Sequence, residues 1–175
     1  MSVRVHLLLG GLTRWGDGYV TSRGMYGLAD RLKRIPGVDV AVYPWADVMD
    51  ARRALLMDEL KQGEKIALIG YSGGGSRATW IANMAPRPKI DLMVLYDPSP
   101  AWEVEEETSL NVRQAICYYN TSPMMWVPFI GSLGGGRITG PQVTIVPIAM
   151  QHLLVQYDQA LHKRTVVAVE RLAHE

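Results

Sequence analysis

Apolar positions fall along this chain in two rhythms, short unbroken runs and longer stretches in which they recur at helical spacing. Val3 to Leu9 starts β-branched, stays mostly apolar and ends in Gly10-Gly11, the form of a buried parallel strand feeding a loop. Beyond a loop rich in glycine and polar residues, Met25, Leu28, Ala29, Leu32 and Ile35 keep a helical stripe, with Ser22 as cap and Pro36-Gly37 as stop. Val38 to Tyr43 reads as strand. Asp47 caps a second helix, whose Val48, Ala51, Leu55, Leu56 and Leu60 face away from Arg52, Arg53, Asp58 and Lys61. Ile66 to Ile69, Ile90 to Tyr96, Val112 to Tyr119 and Gln142 to Val146 complete the strands, with helices over Ala78 to Met84 and Val155 to Leu172. Strands alternating with helices predict a three-layer α/β fold over residues 1–175, a mostly parallel sheet of about six strands with helices on both faces.

Composition narrows what such a fold does here. A length of 175 residues and 48% hydrophobic content suit one domain with a real core. Eighteen Lys and Arg against seventeen Asp and Glu leave a net charge of +1, so no global field points to nucleic acid or an anionic membrane, and the expected partner is a small molecule. The single cysteine, Cys117, excludes an internal disulfide or a cysteine metal cluster and lies in an apolar run, where a buried thiol is expected. The run from Val5 to Leu9 is too short for a signal-peptide core or a membrane span, so the sequence reads as soluble and cytoplasmic.

The third apolar run breaks off in Gly70-Tyr71-Ser72-Gly73-Gly74. That is the G-x-S-x-G pattern, in which a serine on a sharp turn from strand to helix projects its hydroxyl from the top of a sheet. Gly70 and Gly74 stand where strand and helix cross too closely for side chains. The helix that follows aims free N–H groups at the serine, and the N–H of Gly73 is the expected first donor to an oxyanion. A plain glycine-rich turn has the same five residues, so the context decides.

A serine hydroxyl needs a base within hydrogen-bond reach, and the base needs an orienting carboxylate. Ligands of such sheets sit beyond the carboxyl ends of the strands. Of the four histidines, His6 lies within the first strand and His162 and His174 on or past the last helix, which leaves His152 in a loop after a strand. Among carboxylates Asp97, directly after the fourth strand, fits best; a turn or helix cap is the alternative role for it, and Asp17 and Asp158 are the reserve candidates.

The order Ser72, Asp97, His152 resembles that of the α/β-hydrolases, and with the elbow the chain resembles a small, lidless member of the lipase, esterase and cutinase kind. The resemblance implies Ser72 as nucleophile, His152 as general base and then acid, Asp97 as orienter, and no cofactor. It implies a second oxyanion donor on the Gly10-Gly11-Leu12 loop, at Leu12 with Gly11 close behind. In many members the acid follows the next strand, where this chain offers Asn120, so Asp97 takes the less common position. The expected activity is cleavage of a carboxylic ester through an acyl-serine; a thioesterase or acyltransferase would use the same triad, and a non-catalytic binding protein would keep the same fold.

Trp15, Tyr71, Met125 and Trp126 are candidates for lining a substrate pocket; ordinary packing is the alternative for each, and for the apolar run from Met124 to Ile130 packing over the sheet edge is the stronger reading. Gly134 to Gly136 lacks the Gly-Lys-Ser/Thr of a phosphate loop, so flexibility is the better account of the triplet. The acidic run from Glu103 to Glu107 reads as a solvated face.

Overall fold

Along the third strand the side chains part into two cores. Ala67, Ile69 and Tyr71 join one buried cluster with Val3, Val5 and Leu7, whereas Ile66 and Leu68 join another with Leu8. A strand buried on both faces has no solvated side, which is why these runs are continuously apolar rather than alternating.

The structure is a computed structural model and describes residues 2–11, 22–57, 61–84, 89–99, 111–121, 126–127, 131–132 and 134–175. Its elements in chain order are β1 (Val3–Leu8), α1 (Arg23–Leu32), β2 (Val38–Tyr43), α2 (Val48–Met57), β3 (Lys65–Tyr71), α3 (Gly73–Met84), β4 (Leu92–Tyr96) and β5 (Ala115–Asn120). A two-residue ribbon, β6 (Trp126–Val127) against β7 (Gly131–Ser132), comes next, followed by β8 (Val143–Ile148), α4 (His152–Val155) and α5 (Gln159–His174). Six of the strands form one sheet in the order β2-β1-β3-β4-β5-β8, and each neighbouring pair is parallel.

Met25, Leu28 and Leu32 of α1 and Leu161, Val169 and Leu172 of α5 cover one face of this sheet. Ala51 and Leu55 of α2 and Ala78, Ile81 and Ala82 of α3 cover the other, with Cys117 of β5 beneath them. The expected three-layer α/β architecture is therefore present. Cys117 is buried as expected, and that burial pushes its thiol up to about 11, which keeps it protonated and inert at neutral pH.

Three local expectations need adjusting. Ser22 stands before α1 without capping it, because its hydroxyl donates to the Gly10 carbonyl at 2.6 Å. Asp47 closes a short 3-10 turn, Trp45–Asp47, ahead of α2. The last helical stretch is two helices, α4 and α5, and Asp158 between them caps α5 by accepting from the N–H groups of Ala160 and Leu161.

The strand order positions the site. From β1 the chain passes through α1 to β2 on one side, and β3, on the other side of β1, leads through α3 to β4. The helices that follow β1 and β3, α1 and α3, thus pack on opposite faces of the sheet, and in an open parallel sheet the carboxyl ends of the strands at such a reversal are the usual place for a ligand.

Candidate active site

Ser72 connects β3 to α3 with a φ of 54°, a left-handed conformation that a serine holds only when its surroundings enforce it. The enforcement is visible in the backbone. Ser72 donates its N–H to the Tyr96 carbonyl of β4 at 3.0 Å, and its own carbonyl accepts from Gly75 at 2.9 Å. The glycines are steric requirements: a Cβ on Gly70 would come within 2.6 Å of the Gly74 carbonyl oxygen, and one on Gly10 within 2.7 Å of the Ser72 Cβ. The backbone after β1 and the turn at Ser72 therefore touch.

Asp97 directly follows β4 and also takes a left-handed φ, 43°, which aspartate tolerates better than most residues. Its N–H bonds the Tyr118 carbonyl of β5 at 2.8 Å, and its carboxylate is fully buried. A buried carboxylate is costly unless its lone pairs are filled. Here Gly135 donates its N–H to Oδ1 at 2.7 Å, and Asn120 approaches with its N–H at 3.4 Å and its amide at 3.3 Å. The Asn120 amide also donates to the Met150 carbonyl at 2.6 Å, so it ties Asp97 to the segment that leads into α4. The glycine triplet has a spatial purpose too. A Cβ on Gly134 would run into Asp97 Oδ2 and His152 Nδ1.

His152 opens α4, at the first residue of a helix rather than in the open loop expected for it. Its Nδ1 lies 2.6 Å from Asp97 Oδ2 and its Nε2 lies 2.8 Å from Ser72 Oγ. Because a carboxylate can only accept, Nδ1 carries the proton and Nε2 presents a lone pair to the serine hydroxyl. The three side chains chosen from sequence are thus brought together in one hydrogen-bonded line. All three are buried, Asp97 fully and Ser72 and His152 each at 7% exposure, so the line is shielded from water. The other histidines stand apart: His6 Nδ1 faces the Tyr43 hydroxyl at 3.2 Å, and His162 and His174 lie on α5.

Of the expected oxyanion donors, Gly73 opens α3, where a first-turn N–H has no partner within the helix. Gly11 ends the described part of the β1 loop with a φ of 142°. Leu12, Trp15, Asp17 and Met125 lie outside the described residues, as do residues 103–107, and Trp126 is described only in its backbone, within β6.

Tyr71 is buried beneath the site, where its ring stacks on His152. Burial, helped by the charge of Asp97, raises its phenol well above the ordinary range and keeps it a hydrogen-bond donor. Two further residues gave no signal in the sequence. The Ser99 hydroxyl lies 3.2 Å from Ser72 Oγ. The Trp45 indole lies over Gly73, where a Cβ would come 3.2 Å from Nε1, and the Arg77 guanidinium sits 5.6 Å from the Trp45 ring centre. Neither follows a recognisable motif; tertiary packing brings the turn after Asp97 and the 3-10 turn Trp45–Asp47 onto the Ser72 segment.

By sequence, the chain matches no family profile and no curated protein. By fold it is similar to solved structures. The esterase domain of a Rhodothermus marinus protein superposes with a TM-score of 0.55 at 12% identity, covering 97% of this chain and 87% of that one. An esterase of Pyrococcus furiosus gives 0.51 at 10% identity over 98% and 79% of the two chains. A Xanthomonas campestris protein described as a hydrolase of the alpha/beta superfamily gives 0.50 at 14% identity over 99% of both. The likeness at these identities is one of fold, and the fold is that of the α/β-hydrolases.

Proposed function

We propose that this chain, with its α/β-hydrolase fold, is a serine hydrolase that cleaves carboxylic esters of small molecules through an acyl-serine intermediate. The observation that carries the proposal is the unbroken line from Asp97 through His152 to Ser72, with spacings of 2.6 and 2.8 Å. His152 takes the hydroxyl proton as Ser72 Oγ attacks the ester carbonyl, then returns it to the departing alcohol. Asp97 holds the ring with Nδ1 protonated and balances the imidazolium that forms. The Gly73 N–H, at the positive end of α3, and a donor from the Gly11-Leu12 loop stabilise the oxyanion. Water repeats the sequence on the acyl-enzyme and releases the acid. The Rhodothermus and Pyrococcus neighbours are esterases, which agrees with this reading.

Ser72→Ala tests it. The variant is expected to lose turnover of p-nitrophenyl acetate by about 10⁴-fold or more, and to lose labelling by a fluorophosphonate, at an unchanged melting temperature. Full activity in that variant, or a folded wild-type protein that neither labels nor turns over esters, overturns the proposal.

A further inference from the structure

Proton accounting at Ser72 assigns a role to a second serine. The Asp97 carboxylate accepts from His152 Nδ1 at 2.6 Å, so Nε2 is bare and the Ser72 hydroxyl donates to it at 2.8 Å. That donation uses the single proton of Ser72. The contact of 3.2 Å between the two Oγ atoms therefore runs the other way, with Ser99 donating and Ser72 accepting.

Ser99 is held in place for this from several sides. Its N–H donates to the Ser72 carbonyl at 3.1 Å, and its carbonyl accepts from the Ser76 hydroxyl of α3. The preceding carbonyl, of Pro98, accepts the Gly136 N–H at 2.7 Å. Ser99 itself is 8% exposed, so water competes little for its hydroxyl. Two of these anchors belong to the elbow and its helix, and hence the hydroxyl is fixed relative to the atom it addresses.

We propose that Ser99 is a further catalytic residue, whose hydroxyl stabilises negative charge on Ser72 Oγ, chiefly as that atom leaves the acyl-enzyme. The proposal rests on Ser72 being the nucleophile. In deacylation a water O–H bond breaks, its proton goes to His152 Nε2, and the water oxygen bonds to the acyl carbon. The tetrahedral intermediate then collapses: the bond from carbon to Oγ breaks, its electron pair stays on Oγ, and His152 returns the proton to Oγ. The acid departs. The Ser99 proton never transfers; its hydrogen bond strengthens as charge collects on Oγ, which makes Oγ a better leaving group. Acylation gains less, because Oγ gives up its electron pair in that step and the same bond restrains it.

Quenched-flow kinetics with p-nitrophenyl acetate, combined with intact-mass measurement of the acylated fraction of Ser72, test this on the full chain. Ser99→Ala is expected to slow deacylation about three- to tenfold, the usual worth of one hydrogen bond, and to raise the acylated fraction at steady state. Its fluorophosphonate labelling rate is expected to stay within about threefold of wild type, since labelling reports only attack by Oγ. Ser99→Thr, which keeps the hydroxyl, restores deacylation. Ser99→Cys, of similar volume but a weak donor, behaves as the alanine variant does and serves if that variant does not fold. An unchanged deacylation rate in the alanine or cysteine variant, or an equal loss in labelling and deacylation, overturns the proposal while wild-type labelling leaves the hydrolase reading intact. A wild-type chain that neither labels nor acylates instead removes the hydrolase reading, and this role with it.

Discussion

The ring of Tyr71 lies beneath the imidazole of His152, with centroids 5.3 Å apart and planes inclined by 21°, and its hydroxyl donates to the His152 carbonyl at 3.2 Å. The residue before the serine thus fixes the histidine in both ring plane and backbone. Tyr71→Phe keeps the stack and gives up the hydrogen bond; its expected effect is a fall in kcat of about three- to tenfold with KM unchanged. Tyr71→Ala leaves a cavity under the imidazole, with an expected loss of about 3–5 kcal/mol in chemical denaturation.

Asp97→Asn tests the orienting carboxylate. The amide is nearly isosteric, so the fold is expected to survive, but it does not balance an imidazolium and invites the wrong tautomer of His152. Ester turnover should fall by about 10³- to 10⁴-fold, with fluorophosphonate labelling slowed in parallel. A fall of less than tenfold would assign the orienting role elsewhere.

Gly134 is required for two separate reasons, a φ of 79° and the proximity of Asp97 and His152. Gly134→Ala is expected to cost about 1–2 kcal/mol in backbone strain alone. Because its methyl group pushes between the carboxylate and the imidazole, turnover is expected to fall about a hundredfold. The measurements are a denaturation midpoint and kcat on the same preparation. Gly63 is a control, with a φ of 74° and no atom within 4 Å of its would-be Cβ among the described residues: alanine there should strain the backbone without affecting turnover.

His162 makes stability depend on pH. It is 2% exposed on α5. Burial lowers its ionisation below the usual 6.5, the Arg31 charge lowers it further, and the Gln156 backbone and Asp158 offset part of this. The unfolded chain therefore takes up a proton at His162 more readily than the folded one. Stability contributed by this group is complete above about pH 7 and drains away as pH falls through 6.5 toward the folded value, with a slope of at most about 1.4 kcal/mol per pH unit. In His162→Gln the melting temperature should fall less between about pH 7 and pH 5 than in wild type. An identical pH slope in the variant would show that His162 is not the source.

Much of the molecule is legible in its sequence. Ile66 to Ile69 and Leu92 to Tyr96 are apolar because both their faces are covered, and a run of that kind announces a central parallel strand on its own. Gly70, Ser72 and Gly74 announce a tight turn from strand to helix because the crossing of the two excludes side chains locally. Elimination among four histidines singles out His152, and it is His152 whose ring lies between Asp97 and Ser72.

What sequence did not show depends on distance between segments. Asn120 donates its amide to the Asp97 carboxylate, and only the pairing of β4 with β5 brings the two side chains together. Gly134 to Gly136 looked like a flexible spacer and proves to close over Asp97, His152 and Ser99, because steric exclusion by residues far away in the chain leaves no mark on neighbouring positions. Ser99 carries no motif at all, and its hydroxyl matters through the turn after Asp97 that folds back over the elbow. Periodicity and local sterics are written within a few residues and can be read there. Which hydroxyl meets which is set by sheet register and loop closure, and these exist only once the chain has folded.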